Sequence, residues 1–254
     1  MLKKLPGEPA AGSSLDDPAT THRRRDIILK KRFLKSIYED WYQRILRSLP
    51  RAGGGVLEVG SGAGFLSDLL PGLITSEIMF LPGVSLVLDA CRLPFQKAAL
   101  RAVVMTDVLH HIPEPRLFFR DAARSVRPGG VIAMVEPWRT SWSQWVYQHL
   151  HHEAFDPGVT RWEFPSTGPL SSANGALPWI LFERDRATFE REFPEWSIEE
   201  VELMMPFRYL LSGGLSYGSF QPGFAYPLWR TLEGMLTPWS GSLAMFAYIR
   251  LRRV

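Results

Sequence analysis

The fold of this chain is decided by ten consecutive residues, Val56-Leu57-Glu58-Val59-Gly60-Ser61-Gly62-Ala63-Gly64-Phe65. The residues before Gly60 are typical of a short buried strand, and glycine at every second position then predicts a tight turn. Glycines in such a turn accept positive φ and let a ligand approach the backbone, while a helix that starts there offers free N–H groups. The stretch therefore predicts a strand, a ligand-binding turn and the start of a helix at Phe65.

The spacing of these glycines narrows the class of ligand. A dinucleotide-binding turn requires its third glycine at position 65, where this chain has Phe65. The observed form, with an acid preceding the turn at Glu58, favours a nucleoside ligand that has no pyrophosphate.

Working outward from the turn, short apolar runs alternate with stretches long enough for helices. The runs predict strands at Val56–Val59, Leu73–Ile78, Ser85–Leu88, Ala102–Thr106 and Val131–Val135, and crossover helices at Phe65–Leu70 and Pro115–Val126. Strands that alternate with helices in this way indicate an α/β fold with a parallel sheet covered on both faces. Residues 51–137 are therefore predicted to form the ligand-binding core.

The texture of the chain changes after Glu136. Residues 138–182 are rich in tryptophan, histidine and turn residues and are predicted to be a variable, substrate-side insertion. Residues 183–254 are predicted to complete the core with a helix at Glu183–Phe193 and strands at Ile198–Leu203 and Leu243–Leu251. They include a lid-like insertion, 206–241, which is rich in glycine, proline and aromatic residues.

The segment before the first strand carries the positive charge of the protein. Residues 1–50 contain 11 Lys or Arg and 6 Asp or Glu, whereas the whole chain has a net charge of only +3. Residues 1–20 lack periodicity and are predicted to be a flexible tail; apolar residues at helical spacing predict one amphipathic helix over 21–50. Its basic face is either solvated or contacts a membrane surface or another anionic partner.

The composition excludes several other classes of protein. A single cysteine, Cys91, excludes an internal disulfide framework and favours a reducing compartment. No apolar run reaches the roughly 18 residues that span a bilayer, and no secretory signal is evident. We therefore expect a cytoplasmic protein. The charge asymmetry gives little support for nucleic-acid binding by the body of the protein.

In residues 55–137 the chain resembles the class I S-adenosylmethionine-dependent methyltransferases. It is most similar to the methyltransferase type 11 group, which includes the ubiquinone and menaquinone C-methyltransferases. Beyond the glycine-rich turn, four further elements carry the resemblance in order: Glu77 at the end of the second strand, Asp89-Ala90 followed by Leu93-Pro94-Phe95, Thr106 to Ile112 after the fourth strand, and Arg124 to Gly130 before the fifth. The resemblance implies a doubly wound, Rossmann-like sheet of seven strands. It is mostly parallel with an antiparallel last strand, and helices cover both faces.

The resemblance also implies roles for individual residues. The methionine part of S-adenosylmethionine would pass along the glycines, and Glu58 would help to hold its ammonium group. Glu77 would accept hydrogen bonds from both ribose hydroxyls, and Asp89 would accept one from the adenine amino group. The full set implied to contact the cofactor is Glu58, Gly60, Ser61, Gly62, Gly64, Glu77, Ile78, Asp89, Ala90 and Asp107. Glu77 and Asp89 could alternatively be surface acids at strand ends.

The residues that act on the acceptor are less evident, because methyl transfer depends mainly on positioning and needs a base only when the acceptor loses a proton. His110 and His111 are the candidate bases, although such a pair can simply start a helix. The residues expected to line the acceptor pocket are Tyr38, Trp41, Trp138, His151 and His152. The cluster formed by His149, His151, His152 and Glu153 lacks cysteines and the usual zinc spacing, so no metal site is predicted.

Eight of the nine tryptophans follow Glu136, which indicates either an apolar acceptor or a second small core. We therefore expect methyl transfer to oxygen or carbon of a small apolar acceptor, which could be lipid-like or glycolipid-like. The alternatives are a protein or RNA methylase and a catalytically silent scaffold that binds cofactor or a partner. The nucleic-acid alternative is disfavoured because the two prolines of base-amine methylases are absent after Asp107. The sequence does not indicate an oligomeric state.

Overall fold

The architecture was obtained from a computed structural model that describes residues 17–151, 153–166, 168 and 172–254. The strands are β1 Gly55–Glu58, β2 Leu73–Glu77, β3 Leu86–Val87, β4 Leu100–Thr106, β5 Val126–Pro137, β6 Trp196–Met204 and β7 Phe246–Arg253. The helices are α1 Pro18–Lys30, α2 Arg32–Ser48, α3 Pro115–Ser125, α4 Ser141–Leu150, α5 Leu177–Trp179, α6 Arg186–Glu192, α7 Arg208–Ser212, α8 Tyr226–Met235 and α9 Ser240–Leu243.

The seven strands form one sheet in the order β3-β2-β1-β4-β5-β7-β6. β1 pairs in parallel with β2 and β4, and parallel pairing continues to β3 on one side and β5 on the other. β7 is antiparallel to both of its neighbours, β5 and β6. The predicted doubly wound sheet with an antiparallel last strand is therefore confirmed.

Helices cover both faces of the sheet, as the alternation along β7 demonstrates. The Phe246 ring packs on Trp41 of α2, and the Tyr248 ring lies under the guanidinium of Arg44 in the same helix. Arg253 has the opposite parity and donates from Nε to the carbonyl of Ala123 in α3. Because successive strand residues point to opposite faces, α2 and α3 lie on opposite sides of the sheet.

The N-terminal segment forms two helices where the sequence pattern predicts one. The helix leaves α-geometry at Lys31, whose side chain donates to the carbonyl oxygens of Gly214 and, at 2.8 Å, Tyr217. The prediction of a single helix over 21–50 is therefore wrong. The apolar periodicity of the sequence does not reveal the break at Lys31, because contacts with a distant loop stabilise that break.

The predicted flexible tail also needs correction at its end. Residues 1–16 lie outside the described residues, but residues 18–20 already belong to α1, whose first turn is capped by the Asp17 carboxylate accepting from the Ala19 N–H at 2.9 Å. Thr20 is buried, so this part of the predicted tail packs on the protein.

Two predicted helices differ in length or type. Only a 3-10 turn, Leu66–Asp68, occupies the predicted helix 65–70, because Phe65 turns inward to pack edge-on against Tyr42 and Pro71 follows within a few residues. The predicted helix 183–193 is divided into a π-helical turn, Ile180–Arg184, and α6. In the described part of the chain, no helix is long and apolar enough to cross a membrane.

Candidate active site

A cavity of about 890 Å³ opens at the carboxyl edge of the parallel strands. It lies where strand order reverses, between β1 and β4, which is the position at which open α/β sheets bind their ligands. Every residue predicted to contact the cofactor borders this cavity, namely Glu58, Gly60, Ser61, Gly62, Gly64, Glu77, Ile78, Asp89, Ala90 and Asp107.

The glycine-rich turn forms one wall of the cavity, and two of its glycines are required by the packing behind it. Gly60 has φ of 67°, and a Cβ there would lie 2.6 Å from a methyl group of Val108. A Cβ at Gly64 would lie 2.6 Å from the hydroxyl of Tyr42. Both contacts are closer than real Cβ atoms make, so the turn is built from residues whose small size lets β1, α2 and the loop after β4 converge.

Carboxylates surround this turn in an arrangement that fits the cofactor. Glu77 accepts from the N–H of Gly62 and of Ile78, each at 3.0 Å, and each of its oxygens retains a further lone pair that can accept a ribose hydroxyl. Asp89 is held at the next strand end by accepting the Cys91 N–H at 2.8 Å. Burial raises the pKa of Glu77 above its ordinary value and raises that of Glu58 to about 7.

A positively charged ligand group beside Glu58 would therefore stabilise the ionised form of this buried carboxyl group. The ammonium group of S-adenosylmethionine is such a ligand, and the ribose and adenine polar groups match Glu77 and Asp89. The residues present thus fit the cofactor that the sequence resemblance implies.

The helix α1 covers the same turn from outside. Arg25 donates to the carbonyl oxygen of Gly64 and lies 3.5 Å from the carboxylate of Asp68. Thr21 and Arg24 line the cavity itself, and no described residue forms an ion pair with Arg24. The basic side chains of α1 are thus directed in part at the protein's own cavity, which leaves fewer of them for an external partner.

The opposite end of the cavity is organised by a fully buried carboxylate, Glu136, at the end of β5. One of its oxygens accepts the N–H of Val108 at 2.9 Å and of Leu109 at 2.7 Å, which fixes the 3-10 turn Leu109–His111. The other oxygen lies 2.8 Å from Nδ1 of His110. His110 itself is completely buried and does not line the cavity.

His111 and Glu153 border the cavity beside this turn. His111 Nδ1 lies 3.1 Å from the carbonyl oxygen of Ser172, and its Nε2 lies 3.8 Å from one oxygen of Glu153. The other oxygen of Glu153 lies 3.5 Å from Nε2 of His110.

The electrostatics of this cluster shift several pKa values. Burial lowers the pKa of His111 to about 4, with the neighbouring His110 acting in the same direction. Burial also acts to lower the pKa of His110, but Glu136 and Glu153 outweigh it, and the net pKa lies well above the ordinary value. Burial acts to raise the pKa of Glu153, yet the histidines hold it far below its usual range. Burial raises the pKa of Asp107 to about 7.

The predicted acceptor residues are only partly brought together. Tyr38 and His151 line the cavity, whereas Trp41 is buried between Tyr209 and Phe246, and Trp138 is buried away from the described cavity wall. His152 lies outside the described residues. None of the nine tryptophans lies in the described wall of the cavity, so the tryptophans near it serve packing.

The wall opposite the sheet is made mainly by residues that the sequence analysis did not name individually as site residues. These are Tyr42, Tyr147, Tyr209, Leu210 and the loop 213–217. Those after position 206 lie in the predicted lid-like insertion 206–241. Glu136 was likewise missed as a site residue, although an acid that ends an apolar strand was a detectable signal. Instead of pairing with Glu153 in a cluster, His149 is exposed, and its ring stacks on Trp145.

Comparisons with known proteins agree with this geometry. Residues 57–134 match the family described as a methyltransferase domain. A S-adenosylmethionine-dependent methyltransferase from Thermotoga maritima, described as a possible histamine N-methyltransferase, is similar in fold with a TM-score of 0.56 at 16% identity, over 94% of this chain and 100% of that one. A geranyl diphosphate methyltransferase in complex with S-adenosylmethionine gives a TM-score of 0.53 at 12% identity, over 100% of this chain and 97% of the other.

The matched segment contains the glycine-rich turn and the three acids around it, Glu58, Glu77 and Asp89. The two structural similarities extend over nearly the whole chain but concern the fold alone. Residues 57–134 therefore match a methyltransferase domain within a Rossmann-like fold, and S-adenosylmethionine is the cofactor.

Proposed function

We propose that this enzyme methylates a hydroxyl oxygen of a small, largely apolar acceptor. The observation that carries the proposal is the single cavity that joins the cofactor cradle at Gly60–Gly64 to a polar cluster at Asp107, His111 and Glu153. Because these two features share one space of about 890 Å³, near the upper end of the range for small-molecule sites, a second ligand can lie beside the cofactor.

The cofactor supplies a methyl group already activated on a sulfonium sulfur. The acceptor oxygen forms the new bond to the methyl carbon, the electron pair of the broken C–S bond stays on sulfur, and the hydroxyl proton is lost. The protein's task is to align the two ligands and to exclude water. Glu58, Glu77 and Asp89 would hold the cofactor, and the polar cluster would receive the hydroxyl.

The walls between these two ends favour an apolar acceptor body. They are formed by aromatic and aliphatic side chains: Tyr38, Val146, Tyr147, Leu150, Tyr209 and Leu210. An acceptor hydroxyl is supported over an acceptor carbon because a polar cluster that includes His111 and Glu153 borders the cavity beyond the cradle. Of the two histidines considered as a base, only His111 reaches the cavity.

We further propose that α1, α2 and the segment 206–241 act together as a lid. Lys31 joins the helices to the loop 213–217, and Arg208 joins α7 to α2 through Asp40 at 3.1 Å. Tyr226 of α8 adds a hydrogen bond from its hydroxyl to the same Asp40 carboxylate at 2.6 Å. These contacts support closure of the acceptor end by elements from both ends of the chain.

A lipid surface is the environment that best suits the outside of this lid. Its exposed side carries the large apolar residues Phe220, Phe224, Leu228, Leu232, Met235 and Trp239. No carboxylate is exposed between 218 and 243, because Glu233, the one acid there, is buried against Arg208. Phe220 also lines the cavity, so the apolar surface continues inward. We expect the protein to float with anionic lipid vesicles, and we expect Leu228→Glu to reduce this binding. Unchanged flotation of that variant would mean that another surface, such as the basic helix α1, contacts the vesicles.

The rival functions differ in what the cavity must admit. A protein or RNA methylase must admit a macromolecular segment past the lid, whose described part between 218 and 243 exposes large apolar side chains. A silent scaffold would have no need of the matched set of Glu58, Glu77 and Asp89 around the turn. A cytoplasmic location, suggested by the single cysteine, stays a prediction.

The decisive experiment is product capture. The purified enzyme and methyl-labelled S-adenosylmethionine are incubated with fractionated small-molecule and lipid extracts, and labelled products are identified by mass spectrometry. We expect label in an apolar product as a methyl ether, and its loss with Glu77→Ala but not with Glu114→Ala, an exposed acid outside the cavity. Label found only in protein or RNA would contradict the proposal.

A further inference from the structure

The acceptor end of the cavity brings together three groups that all offer electron pairs. Nδ1 of His110 lies 2.8 Å from a carboxylate oxygen of Glu136, and a carboxylate can only accept, so this nitrogen carries the proton. When a cation takes the place of the second ring proton, Nε2 presents its lone pair away from Glu136 and towards Glu153.

The ring of His111 is likewise oriented by a hydrogen bond at Nδ1. Its Nδ1 faces the backbone carbonyl of Ser172 at 3.1 Å and must donate to it. The Nε2 atom of this ring therefore also presents a lone pair, and it faces the second oxygen of Glu153.

The group that would complete this arrangement is a cation. His110 Nε2 is completely buried, and it makes no hydrogen bond with any described residue, although Glu153 lies 3.5 Å away. The candidate ligand atoms of His110, His111 and Glu153 all lie within 4.8 Å of one another. Two ligands that share an ion at about 2.0–2.2 Å stand roughly 3.3–3.5 Å apart at a tetrahedral angle. His110 Nε2 already stands 3.5 Å from one oxygen of Glu153, and His111 Nε2 stands 3.8 Å from the other, so His111 has to move closer for all three groups to share one ion.

We propose that His110 Nε2, His111 Nε2 and the Glu153 carboxylate bind one first-row divalent metal ion of the Zn²⁺ class. Two imidazoles and one carboxylate, without a thiolate, form the donor set that such ions take in open, catalytic sites. Glu136 and the Ser172 carbonyl orient the two rings through Nδ1, as the outer partners of metal-binding histidines do. His111 and Glu153 border the cavity, so a fourth position faces the acceptor.

The use of this ion rests on the proposed function, whereas its binding does not. An acceptor hydroxyl bound at the fourth position would lose its proton at a lower pH, because a divalent ion lowers the pKa of a bound oxygen acid. The alkoxide so formed attacks the methyl carbon, and the proton leaves to solvent. The histidines are then ligands rather than bases.

The alternative is a protonated His110 held between Glu136 and Glu153. The raised pKa of His110 favours this form in the metal-free protein, with Nε2 3.5 Å from the Glu153 carboxylate, and a metal ion has to displace the Nε2 proton in order to bind. The two arrangements differ in an observable way, since only one binds metal.

Metal binding is tested on the full-length chain after chelator treatment, without acceptor. Zn²⁺ titration calorimetry and elemental analysis should give one ion per chain. His111→Ala and Glu153→Gln should each weaken Zn²⁺ binding by at least 100-fold, and Glu136→Gln by about 10–100-fold. His22→Ala, which removes an exposed histidine in α1, serves as the control and should leave Zn²⁺ binding unchanged.

Binding of S-adenosylhomocysteine by each variant reports an intact fold and separates this proposal from the proposed function. Metal bound by the wild type and lost in the variants supports the site even if no methylated product is found. Less than a tenth of an ion per chain, or equal Zn²⁺ affinity in Glu153→Gln and wild type, would overturn it. Glu153 lies at the cavity edge, so this variant stays informative if His111→Ala does not fold.

Discussion

The two ends of the cavity are built in different ways. Apart from Asp107, the residues predicted to contact the cofactor come from one continuous part of the chain, Glu58–Ala90, whose strand ends and turn lie side by side in the sheet. The acceptor end is assembled from segments far apart in sequence, among them Tyr38, His111, Glu153 and Tyr209. The cofactor end depends on local geometry, whereas the acceptor end depends on contacts between distant parts of the chain.

This difference teaches where substitutions should act. A change at the cofactor end should alter ligand affinity with little effect on the rest of the molecule. A change in the groups that support the acceptor end should lower the free energy of unfolding or make hydrogen exchange in the lid faster. The following predictions test that division, from the largest expected effect to the smallest.

Replacing Glu136 should be the most damaging change. Glu136→Ala leaves two buried N–H groups and the buried His110 without their acceptor, so we expect the free energy of unfolding to fall by about 3–5 kcal/mol. Urea denaturation measures this loss, with Glu114→Ala as the exposed control. A loss below about 1 kcal/mol would mean that the acceptor end does not depend on this carboxylate.

Replacing Glu77 should act on affinity. Glu77→Ala removes the ribose acceptors and the partner of the Gly62 N–H, so S-adenosylhomocysteine should bind about 2–3 kcal/mol more weakly, or roughly 30–150-fold. Calorimetry measures this affinity. Urea denaturation of the ligand-free protein should find a smaller loss of stability than for Glu136→Ala, because Glu77 borders the cavity, where water can take the place of its carboxylate. If stability falls more than affinity, the division between the two ends is wrong.

The pKa of Glu58, raised to about 7 by burial, predicts a pH dependence. A raised carboxyl pKa means that this group's contribution to the stability of the ligand-free protein is fully present below about pH 4.5 and is lost as pH rises through about 7. Binding of an ammonium group needs the ionised form, so S-adenosylhomocysteine should bind about tenfold more tightly at pH 8 than at pH 6. Glu58→Gln should flatten this dependence; a Gln variant with the wild-type pH profile would assign it to another group.

Removing the ammonium group of Lys31 should have the smallest effect. Lys31→Met deletes two hydrogen bonds to loop carbonyls, at a cost of about 1 kcal/mol after the relief of burying a charge. Hydrogen exchange should quicken in residues 209–217 and stay unchanged in Gly60–Gly64. Equal protection in the loop would contradict the lid contact, and faster exchange in both regions would mean that the two ends are coupled.

The same division explains what could be predicted from the sequence. The strands of the parallel core and the glycine-rich turn follow from periodicity and from a motif in which neighbours in sequence are neighbours in space. The seven-stranded sheet and the residues proposed to hold the cofactor follow from the family resemblance. The break at Lys31 could not be predicted, because its cause lies in the carbonyls of Gly214 and Tyr217. Local pattern carries no information about such contacts.

The histidines illustrate the same limit. The sequence suggested grouping Glu153 with its neighbours His149, His151 and His152. The structure keeps Glu153 beside His151 but also turns its carboxylate towards His110 and His111. The chain between them includes β5 and α4, so only the tertiary fold brings them together. Trp41 was chosen for its position on a helix face, which does not tell whether the face meets a cavity or a core.

The long-range ion pair between α2 and α7 has a consequence for how the protein is made. Asp40 emerges from the ribosome early, but its partner Arg208 follows 168 positions later, which at usual synthesis rates is roughly 10–30 s. Throughout that interval Trp41 lacks Tyr209 and Phe246, the rings it finally packs against. The nascent N-terminal helix therefore exposes an aromatic face for many seconds, and a chaperone that shields such surfaces should raise the yield of folded enzyme.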